Sequence, residues 1–220
     1  SFAYVQVGEF EKAIADCARI IELNPEEADA YDNWGLACAG LGKFKKAISL
    51  FSKAIELNPD NLARNMHEFY YNRGCAYQHL GEFGKSIADY TKAIELNPEF
   101  TEVFSKRGLA YQNLGEFEKA IPDYSKAIEL NPEDADTYSN RGLAYENLGQ
   151  AELAKNDYLK AEQLENDRLC EDIIPADAPL VEASTGHIAF ECNACGKQFS
   201  VPSDYRGKKA KCSCGTILDI

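Results

Sequence analysis

Between Thr101 and Asp134 the apolar positions fall into two groups on either side of a glycine. Phe104, Leu109 and Tyr111 precede Gly115, and Phe117, Ala120, Ile121, Tyr124, Ala127, Ile128 and Leu130 follow it at mixed steps of three and four. That spacing puts each group on one face of a helix, so the stretch predicts two amphipathic helices joined by a tight turn. Gly115 suits the left-handed backbone that ends a helix, and Asn131-Pro132 stops the second helix before the next unit begins. Gly108 and Ala120 are small enough for the paired helices to approach closely. The same residues return along the chain: Gly35, Gly74, Gly108 and Gly142; Ala47, Ser86, Ala120 and Ala154; Ala54, Ala93, Ala127 and Ala161. Gly108 lies 34 residues from both Gly74 and Gly142. A fixed period of that size predicts a stacked helical array, because one hairpin cannot bury both of its apolar faces alone.

The period divides residues 1–168 into a partial unit, 1–27, and four complete ones, 28–61, 67–100, 101–134 and 135–168. In the partial unit Gly8-Glu9-Phe10 takes the place of Gly115-Glu116-Phe117. Ser1 falls inside a unit, so the sequence reads as a piece of a longer chain, and the lack of a leader argues nothing. Trp34, directly before Gly35, is expected in the core. Five extra residues at about Leu62 to Met66 contain no Gly or Pro and predict about one and a half more turns on the following helix. Pro122, inside a helix, predicts a kink or a shortened helix. After Arg168 the period fades. Leu169, Ile173 and Ile174 suggest a partial cap, and Pro175 to Pro179 opens a linker, so 169–186 reads as cap and linker. The outer face of the last unit then needs a cover: that short segment, the C-terminal module or a second copy of the protein.

The aromatic at Phe104, Gly108 with Tyr111, Gly115 with Phe117, then Ala120, Tyr124, Ala127 and Pro132, in that order and spacing, resemble the tetratricopeptide repeat. The match recurs in every unit from about Ser1 to Arg168. The resemblance implies an all-α, right-handed helix-hairpin solenoid whose first helices line a concave groove. It implies that Asp29, Glu68, Glu102 and Asp136 face the groove, followed by Asp32, Tyr71, Ser105 and Ser139, then Leu36, Cys75, Leu109 and Leu143. A lower row is Gln78, Gln112 and Glu146, with His79, Asn113 and Asn147 beside it. An acidic rim, an apolar stripe and an amide floor suit an extended or helical segment that carries Lys or Arg with aliphatic anchors. Some members of the family grip a C-terminal carboxylate with Lys and Asn at these positions. Asp, Ser, Leu and Tyr stand there in this chain, so that activity is not carried over.

Charge sharpens this reading. Of 220 residues 45% are apolar, enough for a sizeable core, and the formal charge is −13. From His187 onward five basic residues (Lys197, Arg206, Lys208, Lys209, Lys211) meet three acidic ones (Glu191, Asp204, Asp219), so the tail is +2 and the remainder −15. Such an array repels nucleic acid and favours basic partners, although the same charge also serves solubility. No run of about eighteen apolar residues exists, and no membrane span is expected. Cys17, Cys38, Cys75 and Cys170 have no regular spacing, which argues against a disulfide framework and for a reducing, cytoplasmic compartment. His67, His79 and His187 have no recognisable catalytic partners, and every repeat glycine has a packing reason, so no enzyme is expected.

The tail changes period. Ile188, Phe190, Phe199, Val201, Ile217, Leu218 and Ile220 lie in short runs suited to strands, and Cys192-x-x-Cys195-Gly196 and Cys212-x-Cys214-Gly215 each sit at a turn between two runs. Four thiolates on two knuckles suit a tetrahedral site, most often zinc, and so short a domain needs a metal or disulfides to fold. The tail, 187–220, resembles small zinc ribbons, which implies one structural Zn2+ per chain on Cys192, Cys195, Cys212 and Cys214. The single spacer in the second knuckle departs from the usual two. A redox pair and two disulfides compete with this reading, but the helix that opens on a redox Cys-x-x-Cys is missing. Lys197, Arg206, Lys208, Lys209 and Lys211 with Phe199 and Tyr205 form a modest basic and aromatic patch, set against the −15 of the array. The whole reads as an interaction scaffold for a basic peptide or protein surface, with the ribbon as second contact or end cap. A nucleic-acid adaptor acting through the ribbon and a self-assembling protein joined through its solenoid ends are the alternatives.

Overall fold

In the computed structural model of the protein, Gly8, Gly42, Gly81, Gly115 and Gly149 all adopt φ between +71° and +75°, and each separates two helices. Residues 2–58, 65–171, 187–191, 198–202, 209–211 and 217–219 are described, with side chains as far as Glu165. The helices pair as expected: α1 Phe2–Gln6 with α2 Phe10–Leu23, α3 Ala28–Gly40 with α4 Phe44–Glu56, and α5 Met66–His79 with α6 Phe83–Leu96. They are followed by α7 Thr101–Asn113 with α8 Phe117–Leu130, and α9 Ala135–Asn147 with α10 Ala151–Glu171. Each second helix packs on the next unit's first helix, and the first helices also touch one another, α3 with α5, α5 with α7 and α7 with α9. The first helices therefore form the inner wall of the stack.

Close packing within each of the four complete pairs depends on a glycine facing an aromatic ring. A Cβ at Gly35 would stand 2.4 Å from the Phe51 ring, and at Gly74, Gly108 and Gly142 it would stand 2.7, 2.8 and 2.9 Å from Tyr90, Tyr124 and Tyr158. A Cβ that close to ring atoms would force the ring to move, so the ring packs directly against bare backbone. The core is a series of such clusters rather than one centre. Ala28, Ala54, Met66 and Phe69 join α3, α4 and α5, while Tyr90, Ala93, Val103 and Ala110 join α6 and α7. This is the nearest-neighbour economy of a repeat protein.

Three expectations need correction. The extra residues before the third unit do not prolong its first helix by a turn and a half: α5 opens at Met66, one residue ahead of the repeat register. Asn65 ends the preceding backbone with its carbonyl accepting from the amides of Glu68 and Phe69, and Met66 is anchored in the core at 3% exposure. Residues 59–64 lie outside the described residues. Of the two outcomes expected at Pro122, a kink or a shortened helix, the shortening does not occur, since α8 has 14 residues, as α6 has. Pro122 faces solvent, where water can satisfy the Glu118 carbonyl that loses its amide donor. Finally, the partial cap expected from Leu169 does not begin as a separate segment there, and the rest of the expected cap and linker, 172–186, lies outside the described residues. Earlier units stop at Asn58, Asn97 and Asn131, each followed by proline; Glu165-Asn166 stands there in the last unit, and α10 runs on to Glu171.

Beyond residue 186 two antiparallel pairs are described. β1 His187–Glu191 pairs with β2 Gln198–Pro202, with Phe190 opposite Phe199, and β3 Lys209–Lys211 pairs with β4 Ile217–Asp219.

Candidate partner-binding face

The first acidic row follows from helix starts. Asp29, Glu68, Glu102 and Asp136 occupy the first turns of α3, α5, α7 and α9, and all four are exposed. None of these helices has a side-chain cap, so the carboxylates answer the unpaired amides and the positive end of each helix. The four helices that carry these charges touch in sequence, α3 with α5, α5 with α7 and α7 with α9.

One turn deeper the row loses uniformity. Asp32 is buried at 7% exposure, and its carboxylate accepts from Asn72 Nδ2 at 3.0 and 3.3 Å, across from α3 to α5. Burial pushes its pKa up to about 7; the Asn72 hydrogen bond opposes the shift, and the charges of Glu68 and Asp29 add to it. Tyr71 is half-buried, its ring 5.0 Å from Phe100 and 6.0 Å from Tyr90. Ser105 Oγ and Thr137 Oγ1 lie 2.8 Å apart and join α7 to α9, and Ser139 is half-buried. In the apolar stripe Leu36, Cys75 and Leu109 are half-buried and Leu143 is exposed.

The lower row is tied to the second helices. Tyr90 Oη donates to Gln78 Oε1 at 2.8 Å, Tyr124 Oη to Gln112 Oε1 at 3.1 Å and Tyr158 Oη to Glu146 Oε2 at 2.7 Å. Gln78, Gln112 and Glu146 thus position the same rings that pack on the glycines, rather than forming a free amide floor. Asn113 and Asn147 each donate at 2.8 Å to a carbonyl one turn back, of Leu109 and Leu143. His79 lies flat on Phe44, ring centroids 4.5 Å apart.

Sequence reasoning missed a ladder of buried charge. Arg73, Arg107 and Arg141, each just before the packing glycine, make two-pronged contacts of 2.7–2.8 Å with Asp89, Asp123 and Asp157. A third nitrogen of each guanidinium reaches back 3.0 Å to Ser52, Thr91 or Ser125 on the preceding unit. Each arginine therefore fastens its own helix pair and the unit before it, in the bidentate geometry that makes such pairs strong. The second unit has Trp34 and Leu50 at these positions, and both pack on the apolar cluster of Cys38, Ala47, Phe51 and Ala76.

Cys192, Cys195, Cys212 and Cys214 lie outside the described residues. Among the described residues no group of His, Cys, Asp and Glu is arranged to hold a metal, and no helix is long and apolar enough to cross a membrane.

Comparison with known proteins agrees with this geometry. Models of the tetratricopeptide repeat match residues 1–27, 28–61, 67–100, 89–121 and 135–168, and a TPR repeat model matches 113–149. Among solved structures, a crystal structure of MamA superposes with a TM-score of 0.68 at 28% identity, over 76% of this chain and 94% of that one. YrrB, described as a TPR protein with an unusual peptide-binding site, gives 0.64 at 25% identity over 76% and 84%. A fragment of MamA from Desulfovibrio magneticus RS-1 gives 0.69 at 20% identity over 76% and 91%, a likeness of fold alone. No curated protein matches by sequence. Repeat models together cover residues 1–61 and 67–168, and with the glycine-punctuated helix pairs already described they establish that the chain belongs to the tetratricopeptide repeat family.

Proposed function

We propose that the protein is an interaction scaffold that receives a basic peptide or protein surface along its inner wall. The observation that carries this reading is that Asp29, Glu68, Glu102 and Asp136 are all exposed, in the first turns of four helices that touch in sequence. Such a row steers and orients a cationic segment, while Leu36, Leu109 and Leu143 offer anchorage to its aliphatic side chains. The peptide-binding site named for YrrB supports the class of partner without identifying it.

A labelled extended peptide alternating Lys and Leu is the probe, with the same peptide carrying Glu in place of Lys as control. Binding of the first, weakened by added salt and lowered about tenfold or more by combined Glu68→Lys and Glu102→Lys, is expected. Equal binding of both peptides, or indifference to the double charge reversal, sinks the reading.

In the tail, the donor chemistry favours one structural zinc. The strand pairs β1–β2 and β3–β4 each flank a sequence segment that carries two cysteines, Cys192 with Cys195 and Cys212 with Cys214. Four cysteine ligands leave no open coordination position for catalysis, so the metal's task is to hold the fold.

A further inference from the structure

The outer face of α10 differs from every other second helix. In earlier units that face carries two isoleucines seven residues apart, Ile14 and Ile21, Ile48 and Ile55, Ile87 and Ile94, Ile121 and Ile128, and each pair is half-buried beneath the next unit. In the last unit the two positions are Lys155 and Glu162, and Leu159 stands where the others place Ser52, Thr91 or Ser125 to receive an arginine. The face is therefore not shaped to accept another repeat. It is not purely solvated either. Tyr158 is 37% exposed, whereas its equivalents Tyr90 and Tyr124 are fully buried, and Leu159 is 54% and Leu143 41% exposed. Tyr158 and Leu159, together with Lys155, Glu162, Glu146, Ala151 and Ala154, line a shallow groove of about 350 Å³.

We infer that this groove is filled by α10 of a second copy, packed antiparallel about a two-fold axis. The argument is self-complementarity. An axis passing between Tyr158 and Leu159 sets Tyr158 of each copy against Leu159 of the other. The same axis sets Lys155 against Glu162 twice. An isologous contact requires a surface that is its own complement, and this order of cation, aromatic, aliphatic and anion on one helix face meets that condition. Interaction along one helix face is small, so the dimer is weak and concentration-dependent. The contact leaves the first acidic row of each copy open, so it is independent of the peptide reading.

Sedimentation of the full chain over a range of concentrations tests this. A reversible monomer–dimer equilibrium is expected. Leu159→Glu and Lys155→Glu should each weaken it about tenfold or more, the second by setting two anions against each other at both ends. Combining Lys155→Glu with Glu162→Lys should restore association, because the swapped pair is again self-complementary. Circular dichroism should show unchanged helix in each variant. A monomeric mass at every concentration overturns the inference, and so does a dimer unaffected by Leu159→Glu or a swap that fails to rescue.

Discussion

Asp32 shows what register tells and what it omits. The repeat pattern assigns it to the inner wall together with Tyr71, Ser105 and Ser139, yet the four are not equivalent: only Asp32 carries a carboxylate, and it is buried. Register fixes direction but not depth, which depends on the size of neighbouring side chains. The consequence is a pH effect of definite sign. With its pKa raised from 3.8 to about 7, Asp32 favours folding in its neutral form, fully below about pH 4, and that contribution is lost as pH climbs toward 7. Asp32→Asn removes the ionisation and can still meet Asn72. The variant should therefore gain on the wild type between pH 4 and 7, by about 4 kcal/mol at most, and keep a constant lead above that. Denaturant unfolding across this range measures it. A lead that shrinks as pH rises would mean that the carboxylate is stabilised rather than penalised where it lies.

The helices themselves were legible because each unit repeats the same instruction, and a motif given five times is hard to misread. The joints between helices were less so, although the signal was in the sequence. Arginine precedes the packing glycine wherever aspartate precedes the packing tyrosine, at Arg73 and Asp89, Arg107 and Asp123, and Arg141 and Asp157. In the second unit both change together, to Trp34 and Leu50. Likewise Gln78 and Gln112 accompany Tyr90 and Tyr124, but Ala39 accompanies Phe51, which has no hydroxyl to bond. Reading positions singly hides these pairs, since a lone arginine on a helix looks like solvated surface. The second unit also supplies a test. Asp123→Ala leaves the Arg107 guanidinium without its carboxylate in a site where the pair is largely covered, and should cost about 3 kcal/mol. Changing the whole pair, Arg107→Trp with Asp123→Leu, copies the apolar solution already in the chain and should cost less than the single change. Chemical unfolding of the two variants decides it, and a double variant weaker than Asp123→Ala would show that the two solutions are not interchangeable between units.

At the scale of the molecule the array and the tail obey different economies. In the array each unit leans only on its neighbours, and the core clusters from Ala28 to Ala144 recur along the stack, so loss of structure beyond α10 should not travel far into it. The tail has no repetition from which to read it: its strands are short, and the metal reading rests on one set of four cysteines. So short a segment cannot fold on apolar burial alone, and on the proposed zinc reading metal binding and folding of the tail would be a single event. Elemental analysis should find one zinc per chain, and a strong chelator should free four thiols at Cys192, Cys195, Cys212 and Cys214. The helical signal and its thermal midpoint should be unchanged by the same treatment. If the helices melt earlier once zinc is removed, the tail braces the array, and the two are one cooperative unit. If no zinc is found and the four thiols titrate while the strands remain, the tetrahedral site is wrong, and Cys192 and Cys195 return as a candidate redox pair.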